Sequence, residues 1–333
     1  MPMVSHSPEF SVVIPVYNDA SRVAHAIRSV LAQTMPDFEL IVIDDCSKDD
    51  SAKVAEQIAD PRLRIVRNEH NLGCGATKNK GLSLAAAPLF KALDSDDWLQ
   101  PTYLETALQV FDHYSEVALV TSAATEHRDE TIDTTQRKNP GPRGEYGRHE
   151  GRAVQEMYFR GHSAGNPSQV ALRTDWARQA GGWDSHLVNG DETALWLRIV
   201  RHRQAFFLEE PLVHITLHGA SLTSQATHTG LESRHIAQMF RDALRDLPEL
   251  DTARNRFCLV WTRGYVWFSR GQKLLLKRQF KDAFRCWAGI AYFAPTLWWL
   301  PPFAVRTALR AGLKLAQPPL ALPTDNQLWK PTA

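Results

Sequence analysis

The stretch "FSVVIPVYNDASRVAHAIRSVLAQTMPDFELIVIDD", residues 10–45, decides the fold. Its first eight residues, "FSVVIPVY", are an apolar run rich in β-branched side chains, the pattern of a strand buried on both faces. From about Asp19 the period changes. Val23, Ile27, Val30 and Leu31 recur at three- and four-residue spacing, which predicts a helix with one apolar face. "ELIVIDD" (39–45) is a second buried strand.

Working outward, "SKDDSAKVAEQIA" predicts a capped second helix and "LRIVRN" (63–68) a third strand. "GATKNKGLSLAAA" follows as a helix, "PLFKAL" as a fourth strand, "PTYLETALQVFDHY" as a helix opened by proline, and "VALVTSA" as a fifth strand. Near-continuous apolar strands alternating with helices imply an α/β fold, a mostly parallel Rossmann-like sheet sandwiched by helices. Such sheets bind ligands outside the carboxyl ends of their strands. Asp44 and Asp45 end the second strand, and Asp94, Asp96 and Asp97 follow the fourth. Two like charges ~4 Å apart cost ~1 kcal/mol in water and ~4 kcal/mol near a protein surface. Acids crowded this closely point to a bound cation, with a solvated turn as the alternative.

Residues 124–150 are polar, rich in Gly and Pro, and predict a long loop, functional or disordered. Sheet and helix patterns resume through about 223. From 226 onward the pattern is helical and richer in Trp, Leu, Arg and Lys. The expected division is therefore a domain over 1–225 and a helical C-terminal region over 226–333.

The 333 residues are 44% hydrophobic and 23% charged, ordinary for a globular protein with a sizeable core. A formal net charge of +1 gives no overall field toward nucleic acid. Cys46, Cys74, Cys258 and Cys286 lie far apart without a CxxC pair and read as buried thiols in a reducing compartment. The first residues show no secretory signal pattern, so a cytoplasmic location is expected. "WAGIAYFAPTLWWLPPFAV" (287–305) is about as long as the ~20 residues of a membrane span. Pro295, Pro301 and Pro302 argue against a straight spanning helix. With Lys281, Arg285, Arg306, Arg310 and Lys314 nearby, the segment is expected to lie on anionic lipid as a peripheral contact on the inner face of the cytoplasmic membrane. A buried helix pair and a span are the alternatives.

Six pieces, "SVVIPVYNDASRVAHAIRSVLAQT", "ELIVIDDCSKDDS", "NLGCGATKNKGL", "LDSDDWLQP", "GGWD" and "DETALWLR", occur in the order seen in family 2 glycosyltransferases. Over roughly residues 10–223 the chain resembles this family of inverting, metal-dependent enzymes with the GT-A fold. The resemblance implies a UDP-, GDP- or dTDP-sugar donor and a glycan or lipid-linked acceptor, in the synthesis of bacterial surface polysaccharide or glycolipid. Asp94-Ser95-Asp96 resembles the family's DxD motif. By that likeness Asp96 ligates Mn²⁺ or Mg²⁺ while Asp94 contacts the ribose or a metal-bound water. Hard oxygen ligands suit these ions, which neutralise a leaving diphosphate. Asp97, alternating along the chain, points elsewhere.

Pro15, Val16, Tyr17 and Asn18 match the family's base-binding strand end. The Tyr17 ring would lie against the base and Asp45 would accept a hydrogen bond from it. A packed strand-end aromatic is the alternative for Tyr17. Cys46 stands where the motif usually has Gly, and a small buried thiol is expected to be tolerated there. Lys78 stands where it has Arg, keeping the charge but losing bidentate geometry; it is expected on phosphate or carboxylate, or else on a helix surface.

Inversion needs a base for the acceptor hydroxyl, and a positioned base contributes ~10²–10⁴-fold. Counting back from Arg198, Glu192 takes that position with Asp191 beside it, where the family more often has Glu then Asp. Acids complementing a helix dipole are the alternative. Trp183 and Asp184 would shape the acceptor side, with Gly181 and Gly182 permitting an unusual turn. His218 matches a late motif that approaches the diphosphate or metal, although Thr216 replaces its Arg. Choice of sugar and acceptor would depend on residues 124–165 and a pocket near "GNPSQ" (165–169).

Two other classes compete. Haloacid-dehalogenase phosphohydrolases also place Asp-x-Asp after a strand, but want Thr or Val where this chain has Trp98, and usually use the first strand. A catalytically inactive scaffold in a polysaccharide assembly complex would accommodate the departures at Cys46, Lys78, Thr216 and Asp191-Glu192.

Overall fold

A computed structural model describes residues 7–128, 136–138, 140–141, 144–187, 190–218 and 231–252, with scattered positions between 254 and 288. Five predicted strands are present as β1 (Phe10–Val16), β2 (Phe38–Asp44), β3 (Leu63–Arg67), β4 (Leu89–Ala92) and β6 (Val117–Arg128). The short β5 (Trp98–Leu99) lies between β4 and β6. The intervening helices are α1 (Val23–Leu31), α2 (Ser51–Glu56), α3 (Cys74–Leu84) and α4 (Tyr103–His113). Then come β7 (Gln136–Lys138), β8 (Gly147–Glu150), α5 (Gly151–Phe159), β9 (Val170–Arg173), α6 (Thr174–Gln179), α7 (Asp191–Ile199), β10 (Gln204–Leu217) and α8 (Leu231–Asp246).

All ten strands join one sheet in the order β3-β2-β1-β4-β9-β6-β10-β5, with β7 beside β6 and β8 beside β10. β3, β2, β1 and β4 are mutually parallel. β9 runs antiparallel between β4 and β6, and β10 is parallel to β6. The reversal at β9 turns β6 and β10 back into the direction of β4. The carboxyl ends of β1, β2, β4, β6 and β10 therefore all reach one edge, and the amino end of β9 meets them there.

Both faces of the parallel strands are covered, which is why their sequences are apolar throughout rather than alternating. Val13, Ile41, Ile43 and Phe90 face a core shared with α3, α5, α6 and α7. Val12, Ile14, Leu40 and Val42 face α1 and α4 on the other side. α3 sits so close to β1 that a Cβ on Gly81 would come within 2.4 Å of Val13 Cγ1, so only glycine fits. β10 takes up Pro211 through register shifts on both sides of it, the bulged setting in which a strand tolerates proline.

Two expectations are amended. The stretch 124–150 is not patternless: β6 continues to Arg128, β7 pairs with it, and β8 pairs with β10. Ala237, Met239, Phe240, Leu247, Leu250 and Leu259 join the same core as Val13 and Phe90. Cys46, Cys74 and Cys258 are free thiols, only partly buried. Cys286 and all but two residues of 287–305 lie outside the described residues. Among the described residues no helix is long and apolar enough to cross a membrane.

Candidate active site

The acidic motif leaves β4 at the shared edge and every one of its side chains has a partner. Asp94 Oδ1 lies 3.2 Å from Lys78 Nζ. Ser95 donates to Asp19 Oδ2 at 2.6 Å, and Asp19 is paired with Arg22 at 2.7 Å. Asp96 Oδ2 is 2.8 Å from His218 Nε2. Asp97 turns inward, as alternation predicts, and accepts from the Thr216 amide at 2.9 Å. Burial, together with repulsion from Asp94, pushes the Asp96 carboxyl above the ordinary range, while His218 opposes the shift. Asp97 is pushed well above it, chiefly by burial and then by Asp96 and Asp94.

Lys78 is not a surface lysine. It is 4% exposed, one turn inside α3, between Asp94 on one side and Asp191 and Glu192 on the other. Those acids hold its amine well above the usual lysine range against the opposing effect of burial.

Asp191 and Glu192 open α7 after Gly190, which has a left-handed φ of 90°. Asp191 is buried and packs toward Gly75 near the start of α3. Burial and the adjacent Glu192 push its carboxyl well above the ordinary range, and the two carboxyls are hydrogen-bonded. Gly181 (φ 82°) and Gly182 (φ 66°) make the expected turn before Trp183. Asn79 clasps that turn, accepting from Trp183 N at 2.8 Å and donating to Trp183 O at 2.7 Å. The sequence reading had passed over Asn79.

At the ends of β1 and β2, Pro15 lies within β1 and Tyr17 stands 43% exposed beside the motif edge. Asp45 is buried and already a structural acceptor, for Asn68 Nδ2 at 2.7 Å, Leu72 N at 2.8 Å and Gly73 N at 2.9 Å. A carboxylate offers about four acceptor positions, so about one is left over. Asp44 accepts from Ser47 N and pairs with Arg67 at 3.1 Å. Among the described residues, Asn18 (φ 53°) and Cys46 (φ 62°) are the non-glycine residues in left-handed backbone, both at this edge. This accounts for the family's Gly at the Cys46 position. Cys46 is only partly buried.

Among the described residues no three His, Cys, Asp or Glu side chains converge on one point able to hold an ion. Asp94 is drawn to Lys78, which leaves Asp96 and His218 as a two-ligand set. That set still suits Mn²⁺ or Mg²⁺, which commonly take one or two protein groups and complete their shell with water and substrate phosphate. Raised by burial and then by its acidic neighbours, Asp96 is a carboxylate that a cation would relieve.

Sequence and fold comparisons agree with this geometry. Residues 11–168 match the profile of Glycosyl transferase family 2. An uncharacterized protein of Mycobacterium tuberculosis is 31% identical over 62% of this chain and 66% of its own length. The succinoglycan biosynthesis protein ExoO of Rhizobium meliloti is 34% identical over 33% of this chain and 32% of its own length. The chain thus spans between a third and two thirds of these relatives. In fold it is similar to TarS of S. aureus, solved with UDP-GlcNAc, with TM-score 0.64 and 18% identity, covering 86% of this chain and 80% of that one. It is also similar to a mannosyltransferase of Pyrobaculum calidifontis, solved with GDP-Man and Mn²⁺, with TM-score 0.57 and 14% identity, covering 94% and 81%. Through residues 11–168 the chain belongs to glycosyl transferase family 2, and its mixed α/β sheet is the GT-A fold.

Proposed function

We propose that the protein transfers a sugar, with inversion, from a UDP-, GDP- or dTDP-linked donor to a hydroxyl of a glycan or lipid-linked acceptor, in the synthesis of surface polysaccharide or glycolipid. One observation carries this reading. Asp96 with His218, Lys78 with Asp94, and the Asp191-Glu192 pair meet at the single edge where the strands end. That is where open α/β sheets bind their ligands.

In this reading Tyr17 offers its exposed face to the base, and Asp45 its remaining acceptor position. Asp94 and Ser95 border the ribose. Asp96 and His218 hold Mn²⁺ or Mg²⁺, which would neutralise charge on the departing diphosphate. Lys78 tempers the charge between donor and base. Glu192 accepts the proton of the acceptor hydroxyl, while Asp191, hydrogen-bonded to it, orients it. Glu192 is the more exposed of the two and so the one an acceptor can reach.

The acceptor's hydrophobic anchor would place the enzyme at an anionic bilayer surface. Support comes from Leu275, Leu276, Phe280 and Phe284, large apolar side chains at 41%, 84%, 64% and 70% exposure, with Lys281 among them.

The direct test is a panel of UDP-, GDP- and dTDP-sugars against the purified protein with Mn²⁺, read by thermal shift. A ligand at 100 times its Kd adds ~2.7 kcal/mol of stability. A shift with one nucleotide, followed by donor cleavage, supports the reading. No shift with any of the three overturns it.

A further inference from the structure

Pro167–Gln169, the core of "GNPSQ", form one 3-10 turn at the amino end of β9, beside the acidic motif. All three side chains are buried, so the turn presents no side-chain surface to an acceptor. It is anchored on several sides. Asn166 and Gln169 close a reciprocal capping box, and Gln169 also donates to Ser122 O at 2.9 Å. Tyr103 donates its hydroxyl proton to Gln169 O at 3.1 Å.

Beneath the turn lies Lys91, 0% exposed in an otherwise apolar strand. Its Nζ donates to the carbonyls of Pro167 (3.2 Å), Ser168 and Val170 (3.4 Å). Three carbonyls surround this amine, which burial holds well below the usual lysine range, and the Tyr103 ring covers it at 4.6 Å.

Ser168 connects this anchorage to the motif. Its hydroxyl accepts from the Asp94 amide at 3.1 Å and bonds to the Asp97 carboxyl. Asp97 in turn holds the Thr216 amide, the Thr216 hydroxyl holds the Asp96 carbonyl at 2.6 Å, and His218 lies two residues on. We infer that the turn pinned by Lys91 is the frame that sets the acidic motif's geometry, with Ser168 and Asp97 as its positioning residues. This rests on the reading of Asp94–Asp96 as the donor-binding motif. Fully satisfied buried polar networks are rigid, so the frame holds Asp96 and His218 at ligand spacing before any ligand arrives.

Ser168→Ala removes one oxygen and leaves the Lys91 anchorage intact. Two measurements test it: Mn²⁺ titration by EPR, and amide exchange by mass spectrometry over residues 93–98. The expected result is Mn²⁺ affinity ~10-fold weaker, as when outer-shell partners are lost, and exchange at 93–98 at least ~10-fold faster. Exchange over β1 stays unchanged. Lys91→Met, where it folds, gives the same two changes more strongly. Unchanged Mn²⁺ affinity and unchanged exchange in Ser168→Ala overturn the inference. Should the unmutated protein take up no Mn²⁺, the proposed function fails while the frame is still decided by the exchange rates alone.

Discussion

His218 Nε2 lies 2.8 Å from Asp96 Oδ2, although the two residues are 122 positions apart in the chain. Their meeting follows from topology. β9 reverses direction between β4 and β6, so β10 runs parallel to β4; β5, directly after the motif, pairs with β10 through Trp98 and His214, and the first residue beyond β10 reaches the motif. Asp96→Ala is expected to abolish Mn²⁺ binding and donor cleavage together. His218→Ala is expected to weaken Mn²⁺ ~10–100-fold while leaving nucleotide binding without metal unchanged. Titration with Mn²⁺ in the presence and absence of UDP separates the two. An Asp96→Ala protein with unaltered Mn²⁺ uptake would sink the metal assignment.

The Lys78–Asp94 pair supplies a stability test. Lys78 is almost wholly buried among carboxyls, so removing its charge leaves them uncompensated. Breaking a buried pair costs ~3–5 kcal/mol, and the partial exposure of Asp94 argues for the lower end. Lys78→Met should therefore lose roughly 3 kcal/mol in urea unfolding, and Lys78→Arg should recover much of it. Equal stability of the Met variant and the parent would show that the cation is dispensable to the fold.

Cys46 tests backbone strain. An L-residue in left-handed backbone costs roughly 1–2 kcal/mol per residue, and Cys46 has φ 62°. Its thiol returns little, a long 3.7 Å contact to Glu69 O. Cys46→Gly is expected to be neutral or to stabilise by up to ~1 kcal/mol, since glycine's freer unfolded chain offsets part of the relief. Cys46→Val should lose ~1–2 kcal/mol through its β-branched side chain. Thermal unfolding of the two variants gives the sign, and a destabilised Gly variant would contradict it.

The fold was legible in residues 10–45 because strands buried on both faces leave an unbroken apolar signature. The direction of β9 was not: nothing in "VALR" (170–173) tells antiparallel from parallel, and register is set by distant partners. Motif carboxylates could be found by spacing, whereas Lys78 and Lys91 needed three-dimensional context. One visible clue was a lysine inside the apolar run "PLFKAL", a residue type that is almost never fully buried unless its charge is met. Asp45 was picked out by likeness alone; that it also holds the loop at Leu72 and Gly73 needed the three-dimensional structure.

Acid stability should be limited by histidines that the fold keeps neutral. Burial lowers the His149 imidazole below its ordinary range, and burial, then His127 and His25, lower that of His214. A base with a depressed folded-state pKa contributes full stability above its unfolded value of about 6.5. That stability is lost as pH falls through the folded-state value, because the unfolded chain binds the proton first. Midpoints in urea should therefore drop from about pH 6.5 downward. His149→Phe, which keeps an aromatic ring against Phe207, should flatten part of that slope. An unchanged slope would remove His149 from the account.

The exposed apolar side chains give the last test. Water-facing Leu276, Phe280 and Phe284 are costly to a protein that stays in solution, since a fully buried side chain of this size gains about 1.5–3 kcal/mol. Arg270, Lys273, Lys277, Arg278, Lys281 and Arg285 fall in the same sixteen residues, against Asp282 alone of opposite sign. Each basic residue near an anionic leaflet is worth ~1 kcal/mol, so apolar insertion and charge would act together. The chain is expected to co-sediment with phosphatidylglycerol vesicles, less so with phosphatidylcholine, and to dissociate as salt rises. A triple variant, Leu276→Ser with Phe280→Ser and Phe284→Ser, should lose vesicle binding yet keep its thermal shift with Mn²⁺ and nucleotide-sugar, because these side chains lie outside the site. Equal sedimentation of parent and variant would assign those apolar groups to something other than lipid.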